Sequence, residues 1–173
     1  MSEAAQAQTA DIGMGTEENS EAEQYLTFIM ANEEYGVDIL RVQEIRGWDV
    51  VTPIPNTPEY VKGVINLRGT IVPIVDLRER FGLESIEYGP TTVVIVLRVI
   101  GEVSDRIMGI VVDAVSDVYN IDNADMKPAP DFGSSVSIEF VRGLSTVAET
   151  MLIILDIDKM LSANDTNNIS NHQ

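Results

Sequence analysis

Short apolar runs separated by polar turns dominate the chain, and this pattern predicts strands rather than long helices. The clearest pair is Val61 to Leu67 and Thr70 to Val75, both rich in β-branched residues. Arg68-Gly69 lies between them, where a tight turn needs a residue that tolerates a positive φ, as glycine does. The pattern therefore predicts a β-hairpin over residues 61–77.

The chain before this hairpin contains further strand signals. Gln24 to Ala31 predicts a first strand, and the polar residues 32–34 predict a turn into a second element that starts at Tyr35. Asp38 is placed to cap a short helix. The hydrophobic periodicity leaves residues 40–45 open, since it fits either a helix or a strand.

Polar and glycine positions predict where short helices begin and end. Thr57 is placed to cap one helical turn inside a proline-containing loop. Asp76 and Gly82 are placed to begin and end another short helix. A polar linker over residues 83–90 follows.

The remaining residues again alternate between apolar runs and polar turns. Strands are predicted at 91–100, 106–115, 118–121, 136–147 and 151–157, and a short helix at 156–162.

The two halves of the chain repeat one another. Residues 35–45 (YGVDILRVQEI) match residues 108–118 (MGIVVDAVSDV), with a glycine at the second place of each. Val61-Lys62-Gly63 and the later Asp76 match Val141-Arg142-Gly143 and the later Asp156. Each half has about five short strands, a number that suits a small β-barrel. We therefore predict an all-β fold of two barrels, a first half at about 24–88 and a second half at about 89–163, which could share strands.

The repeat also isolates residues that occur once. The first hairpin carries Asn66, Arg68 and Gly69, whereas the corresponding segment of the second half is Ser145 to Glu149. Positions that maintain the fold should be shared, so these three residues indicate a task of the first hairpin.

Composition and charge narrow the class of protein. The net charge of −17, from 28 acidic against 11 basic residues, argues against nucleic acid as a partner. Residues 1–22 are acidic without an apolar period and predict a disordered tail, and residues 164–173 predict a polar tail. No long apolar run or signal-peptide pattern is present, so we expect a cytoplasmic protein that does not insert into the membrane.

The segments GVINLRGTIVPIVDLR (63–78), YGVDILRVQEIRG (35–47) and TPEYVKG (57–63) resemble the CheW family of chemotaxis coupling proteins. The resemblance extends from about residue 24 to about residue 162. It implies two SH3-like five-stranded β-barrels with short helices, and an adaptor without catalysis or cofactor. The implied partners are the cytoplasmic tip of a chemoreceptor (methyl-accepting chemotaxis protein) and the regulatory domain of the histidine kinase CheA, at the membrane-associated receptor array. The length of 173 residues leads us to expect the stand-alone coupler.

The resemblance also implies site residues. Kinase contact maps to Gly63 and Gly69. The receptor tip is expected in an apolar groove between the barrels, at Val42, Glu44, Ile45, Asn66, Leu67, Arg68, Val93, Val94, Gly109 and Val118.

Ordinary structural roles are the alternatives for these residues. Val42 and Ile45 could be core, Glu44 a solvated charge and Arg68 a generic turn residue, although guanidinium groups are enriched at interface hot spots. Trp48 could face a partner or cover a seam of the barrel.

The sequence offers little for an enzyme. His172, the only histidine, lies in the C-terminal tail, so no Ser-His-Asp triad is expected in the core. Asp156 and Asp158 fit helix capping better than a carboxylate or metal site. The alternatives that we retain are a small β-barrel hydrolase that uses its carboxylates and a coupling paralogue for a non-flagellar receptor array.

Overall fold

The computed structural model describes residues 22–130 and 138–161. The two predicted tails lie outside these residues, except for Ala22. The strands are β1 Ala22–Met30, β2 Glu33–Asp38, β3 Val42–Gly47, β4 Val61–Leu67, β5 Thr70–Asp76, β6 Val93–Val99, β7 Arg106–Val112, β8 Ala114–Asp122, β9 Val141–Val147 and β10 Thr150–Leu155. The short α-helices are α1 Leu77–Arg80 and α2 Ile157–Met160, and 3-10 turns span Ile39–Arg41, Asn123–Asp125 and Ile138–Phe140. Among the described residues, no helix has the length and apolar character needed to cross a membrane.

The strands form two five-stranded sheets, which confirms the predicted all-β fold. Sheet A has the order β8-β1-β2-β10-β9, and sheet B has the order β3-β6-β7-β5-β4. Each sheet takes two strands from one half of the chain and three from the other. The boundary predicted near residue 88 therefore does not separate the sheets, because the parallel pairs β2–β10 and β5–β7 cross it.

The strand registers confirm the internal repeat. Gly36 of β2 pairs with Ile154 of β10, and Gly109 of β7 pairs with Ile74 of β5. A Cβ atom at Gly36 would lie 2.9 Å from Cδ1 of Ile154, and one at Gly109 would lie 2.7 Å from Cδ1 of Ile74. Both glycines thus accommodate an isoleucine side chain of the parallel neighbouring strand in the same way.

The central hairpin has the predicted bounds. Arg68 and Gly69, which connect β4 to β5, have φ values of 51° and 91°. In sheet A, the prediction of a turn over residues 32–34 is wrong in position: Ala31 and Asn32 make the turn between β1 and β2 with φ values of 52° and 67°, and Glu33 already begins β2. An asparagine tolerates this conformation, so the tight turn needs no glycine.

The structure answers the open question for residues 40–45 and tests the helical turn predicted after Thr57. Asp38 caps a 3-10 turn by accepting a hydrogen bond from the Leu40 N–H (2.9 Å), and β3 begins directly afterwards at Val42. The helix predicted after Thr57 does not form. The Thr57 hydroxyl donates to the carbonyl of Ile54 (3.1 Å), and residues 59–60 form only a turn.

The ends of the two halves also follow the sequence signals. Asp76 and Asp156 cap α1 and α2 by accepting from the N–H groups of Glu79 and Lys159. Gly82 follows α1 with a φ of 76°. The strand predicted from residue 136 begins at Val141 after a 3-10 turn.

The largest hydrophobic core lies between the two sheets. Phe28 and Tyr35 of sheet A stack with a 5.9 Å ring separation, and Tyr35 also contacts Phe81 after α1. Two smaller clusters, around Ile74 for sheet B and Ile154 for sheet A, complete the interior. The two sheets therefore bury apolar surface against each other, which favours unfolding as one unit.

Candidate functional site

The two segments that the sequence analysis selected in the first half lie side by side. Nη2 of Arg68, in the β4–β5 turn, lies 2.7 Å from Oε1 of Glu44 on β3. Strands β3 and β4 are the two edges of sheet B, so this ion pair joins edges that do not pair with each other. The side chain of Arg68 remains 75% exposed, whereas that of Glu44 is 24% exposed.

Asn66 holds the turn that presents Arg68. Its side-chain oxygen accepts a hydrogen bond from the Gly69 N–H at 2.8 Å. Asparagine side chains bond to nearby backbone in this way and favour turns. The Asn and Gly that occur only in the first hairpin therefore shape the backbone, while Arg68 supplies the accessible charge.

The apolar members of the predicted receptor set on β3 and β4 have different environments. Ile45 is 44% exposed, so it is a surface residue rather than core. Val42 and Leu67 are half-buried, and each packs against a hydrophobic cluster. Ile45, the residue after Glu44 on β3, is thus the one of the three that offers most apolar surface.

A cleft of about 230 Å³ lies between the end of β3 and strand β4. Asn66 and Arg46 line it, and the buried side chains of Ile74 and Val94 also contribute to it. Nη1 of Arg46 lies 3.6 Å from Oε2 of Glu44. Glu44 therefore has a guanidinium group near each of its oxygens, and the cleft adjoins this charged network.

The structure does not support a direct partner contact for every predicted receptor residue. Gly109 is buried, and a Cβ there would lie 2.7 Å from Ile74 and 2.9 Å from Val94. Its absent side chain serves strand packing. Val94 is 4% exposed, and Val93 is half-buried against the main core.

Val118 belongs to a different sheet from Glu44 and Arg68. It is 42% exposed and belongs to β8 of sheet A, where it pairs with Leu26. The corresponding pair in sheet B is Ile45 with Ile95, so Val118 is the repeat counterpart of Ile45. The exposed members of the predicted receptor set are consequently divided between sheet A and sheet B.

The two glycines predicted to contact the kinase are not equivalent. Gly63 is buried with a φ of 146°, and a Cβ there would lie 2.2 Å from the carbonyl oxygen of Thr52. This close approach allows Thr52 to bridge to Val64 beside it. Gly69 is exposed, and a Cβ there would meet no atom within 4 Å. Only Gly69 is accessible to a partner.

Sequence reasoning missed two residues of this surface. Arg46 lies near Glu44 and lines the cleft, and Ile71, which pairs with Asn66 across the hairpin, is 55% exposed. Alternation along β3 could have indicated Arg46, since it lies two residues after Glu44 and so on the same face. Ile71 gave no signal, because a β-branched residue beside a turn is ordinary for a strand.

Trp48, which follows β3, packs against the hydrophobic cluster of sheet B. Its ring centroid lies 4.3 Å from that of Tyr88, in the linker, and both rings belong to the sheet B cluster. The Tyr88 hydroxyl donates to the buried carboxylate of Asp76. Burial and this hydrogen bond both raise the pKa of Tyr88. The arrangement favours the seam-covering role of Trp48.

The carboxylates that were weighed as an enzyme site have structural partners. Asp156 caps α2, and Asp158 forms an ion pair with Arg41 at 2.7 Å. Within the described parts of the chain, no group of three acidic or histidine side chains could hold a metal ion. Asp156 is thus a helix cap, as predicted, whereas Asp158 is an ion-pair partner within α2.

The comparisons with known proteins point to a single family. The model of the CheW-like domain matches residues 24–165. A Chemotaxis protein CheW of Klebsiella aerogenes is 50% identical over 143 residues, which are 83% of this chain and 84% of that protein. A Chemotaxis protein CheW of Rhizobium meliloti is 37% identical over 140 residues, 81% of this chain and 88% of that protein.

A solved structure agrees with these sequence relatives. The scaffolding protein TtCheW of Thermoanaerobacter tengcongensis superposes with a TM-score of 0.73 at 33% sequence identity. The match covers 83% of this chain and 90% of that protein. The similarity thus extends over the two sheets together with the candidate surface.

Proposed function

The chain belongs to the CheW-like family, and from this premise we propose that it couples the cytoplasmic tip of a chemoreceptor to the regulatory domain of the histidine kinase CheA. Its similarity to chemotaxis and scaffolding proteins indicates that it is a scaffold protein of chemotaxis and not an enzyme. The proposal includes both partners, the receptor tip and the kinase, and a location at the membrane-associated receptor array.

The observation that carries the proposal is the surface around the Glu44–Arg68 ion pair. Sheet B carries here an exposed guanidinium and two exposed apolar side chains, Ile45 and Ile71, and Arg46 extends the charged network to the cleft. Apolar area supplies affinity in protein interfaces, and charged groups supply orientation and association rate. Arginine is among the residues most often found at interface hot spots.

A reconstitution experiment tests the proposal. The full chain is mixed with a receptor cytoplasmic fragment and with the kinase, and complexes are measured by size-exclusion chromatography and by calorimetry for each pair. We expect binding to each partner alone and a complex that contains all three. We also expect kinase autophosphorylation to respond to the receptor fragment only when the chain is present. Failure to bind either partner would contradict the proposal.

A further inference from the structure

Two pairs of parallel strands join the two halves of the chain. In sheet A, β2 from the first half pairs with β10 from the second, and in sheet B, β5 from the first half pairs with β7 from the second. An ion pair connects the residues that follow the strands of each pair. Arg41 follows β2 and contacts Asp158 after β10, whereas Arg78 follows β5 and contacts Asp113 after β7.

The ion pair at the end of β2 and β10 is bidentate. Nη1 and Nη2 of Arg41 each lie 2.7 Å from an oxygen of Asp158. Asp158 also accepts from the Ile100 N–H at 2.8 Å, and Arg41 donates to the carbonyl of Arg98 at 3.2 Å. The arginine and aspartate side chains are 20% and 30% exposed, so the contact is partly shielded from water.

The ion pair at the end of β5 and β7 has the same plan. Nε and Nη2 of Arg78 lie 3.0 Å from Oδ1 and Oδ2 of Asp113, respectively. Asp113 also accepts from the Ala31 N–H at 3.0 Å, and Arg78 donates to the carbonyl of Glu84 at 2.9 Å. The arginine and aspartate side chains are 16% and 22% exposed.

The repeat relates the two contacts, but their charges are exchanged. Arg78 and Asp158 occupy the same place in their helices, two residues after the capping residues Asp76 and Asp156. One position therefore carries an arginine in the first half and an aspartate in the second. With Arg41 in the first half and Asp113 in the second, both arginines of the two ion pairs belong to the first half, and both aspartates belong to the second.

We propose that this distribution of charge selects the observed strand pairing against the one in which each half pairs its own strands. In that alternative, β2 would pair with β5 and β7 with β10. Arg41 would then lie against Arg78, and Asp113 would lie against Asp158. Like charges in partly desolvated contacts are strongly unfavourable, so the alternative is penalised twice while the observed pairing is stabilised twice.

The glycine contacts of the parallel strands do not by themselves make this choice. Gly36 accommodates Ile154, and Gly109 accommodates Ile74. If each half paired its own strands, Gly36 would meet Ile74 and Gly109 would meet Ile154, which are the same two residue types in contact. Because the repeat makes these glycine–isoleucine contacts interchangeable, they do not distinguish the two arrangements, whereas the charges do.

The test is to reverse one ion pair in the full chain by the double substitution Arg41→Asp with Asp158→Arg. Both ion pairs of the observed fold stay attractive, but position 41 would then attract Arg78 and position 158 would attract Asp113 in the alternative. After unfolding in urea and dilution, native monomer is measured by size-exclusion chromatography and Trp48 fluorescence. We expect the ratio of non-native to native protein to rise roughly tenfold, the factor for ~1.4 kcal/mol of lost discrimination.

The control is the quadruple substitution that also includes Arg78→Asp and Asp113→Arg. It again gives opposite charges in the observed pairing and like charges in the alternative, so we expect the native fraction to recover above that of the double variant. The quadruple variant also loses the backbone hydrogen bonds to both aspartates. If the ion pairs contributed only stability, it would therefore refold less well than the double variant. A native fraction equal to or below that of the double variant would overturn the proposal.

Discussion

The guanidinium of Arg68 and the carboxylate of Glu44 lie 2.7 Å apart and join the two edge strands of sheet B. The pair has an uneven exposure, since the arginine faces solvent while the glutamate is mostly covered. Glu44 therefore orients the guanidinium of Arg68 without using all of its hydrogen-bond donors. The remaining N–H groups can donate to another molecule. An exposed pair of this kind contributes only ~0.2–1 kcal/mol to stability.

Arg68→Glu should weaken partner binding by more than about tenfold, because like charges across an interface repel. The melting temperature should change by less than about 4 °C, since the exposed ion pair adds little to the fold. Calorimetry with the receptor fragment and the kinase regulatory domain measures the first quantity, and thermal unfolding followed by circular dichroism measures the second.

Two variants control this prediction. Arg98→Glu removes another exposed arginine of sheet B, which lies 3.8 Å from Asp105, and should leave binding unchanged. The double substitution of Arg68→Glu with Glu44→Arg keeps opposite charges at the ion pair, yet it should not restore binding if Arg68 contacts the partner directly. Full recovery in the double variant would show that only the ion pair matters, and wild-type binding by Arg68→Glu would remove Arg68 from the interface.

Gly63→Ala should destabilise the protein strongly. The new Cβ would lie 2.2 Å from the carbonyl oxygen of Thr52, and the φ of 146° is unfavourable for alanine. We expect a loss of at least ~2 kcal/mol in the free energy of unfolding, measured by urea denaturation. Gly47→Ala is the matched control on edge strand β3, because a Cβ there meets no atom within 4 Å. Equal stability of the two variants would contradict the steric argument.

The sequence predicted the local elements well where a residue has a strong intrinsic preference. Arg68-Gly69 at the turn, and Asp76 and Gly82 at the ends of α1, are examples in which backbone conformation is set by near neighbours. The helical turn predicted after Thr57 does not form, and the Thr57 hydroxyl donates to the carbonyl of Ile54. Such competing hydrogen bonds are not visible in a sequence pattern.

The repeat could predict two equivalent units but not which strands pair. Contacts such as Arg41 with Asp158 join residues that are far apart in the chain, and either pairing places a glycine against an isoleucine. In the candidate site, the resemblance selected Glu44 and Arg68, and the structure brings them together. The resemblance could not show that Gly109 is buried, because the solvent accessibility of a residue depends on the neighbouring strands.

Tyr88→Phe should destabilise the fold through Asp76. The Tyr88 hydroxyl donates to the Asp76 carboxylate, which is 3% exposed, so the variant leaves a buried carboxylate with one donor fewer. Loss of such a partner costs about 1–3 kcal/mol. Urea unfolding followed by fluorescence of Trp48, the only tryptophan and a direct neighbour of Tyr88, measures the change.

Tyr119→Phe is the matched control for Tyr88→Phe. Tyr119 is half-buried in the sheet A cluster and should lose little stability, because the described residues offer its hydroxyl no hydrogen-bond partner. A Tyr88→Phe variant as stable as Tyr119→Phe would show that the Asp76 contact contributes nothing to the fold.

The contact between Arg41 and Asp158 should make stability depend on pH in the acidic range. Burial alone would raise the pKa of Asp158, but hydrogen bonds from Arg41 and the Ile100 N–H outweigh burial and lower the pKa below its ordinary value of 3.8. A carboxyl group with a lowered pKa in the folded state stabilises the protein above its unfolded pKa, and this contribution is lost as the pH falls through the folded pKa. Asp158→Asn should therefore be less stable than the wild type at pH 7.

The measurement is the free energy of unfolding in urea for the wild type and Asp158→Asn at a series of pH values from neutral to strongly acidic. The difference between the two proteins should be largest at neutral pH and should shrink below about pH 4, where Asp158 binds a proton in the unfolded chain first and in the folded protein at lower pH. Glu102→Gln is the control, because this side chain is exposed in the loop between β6 and β7 and forms no ion pair among the described residues, so its removal should give no such pH-dependent difference. A difference between the wild type and Asp158→Asn that stays constant with pH would show that the charge of Asp158 does not stabilise the fold.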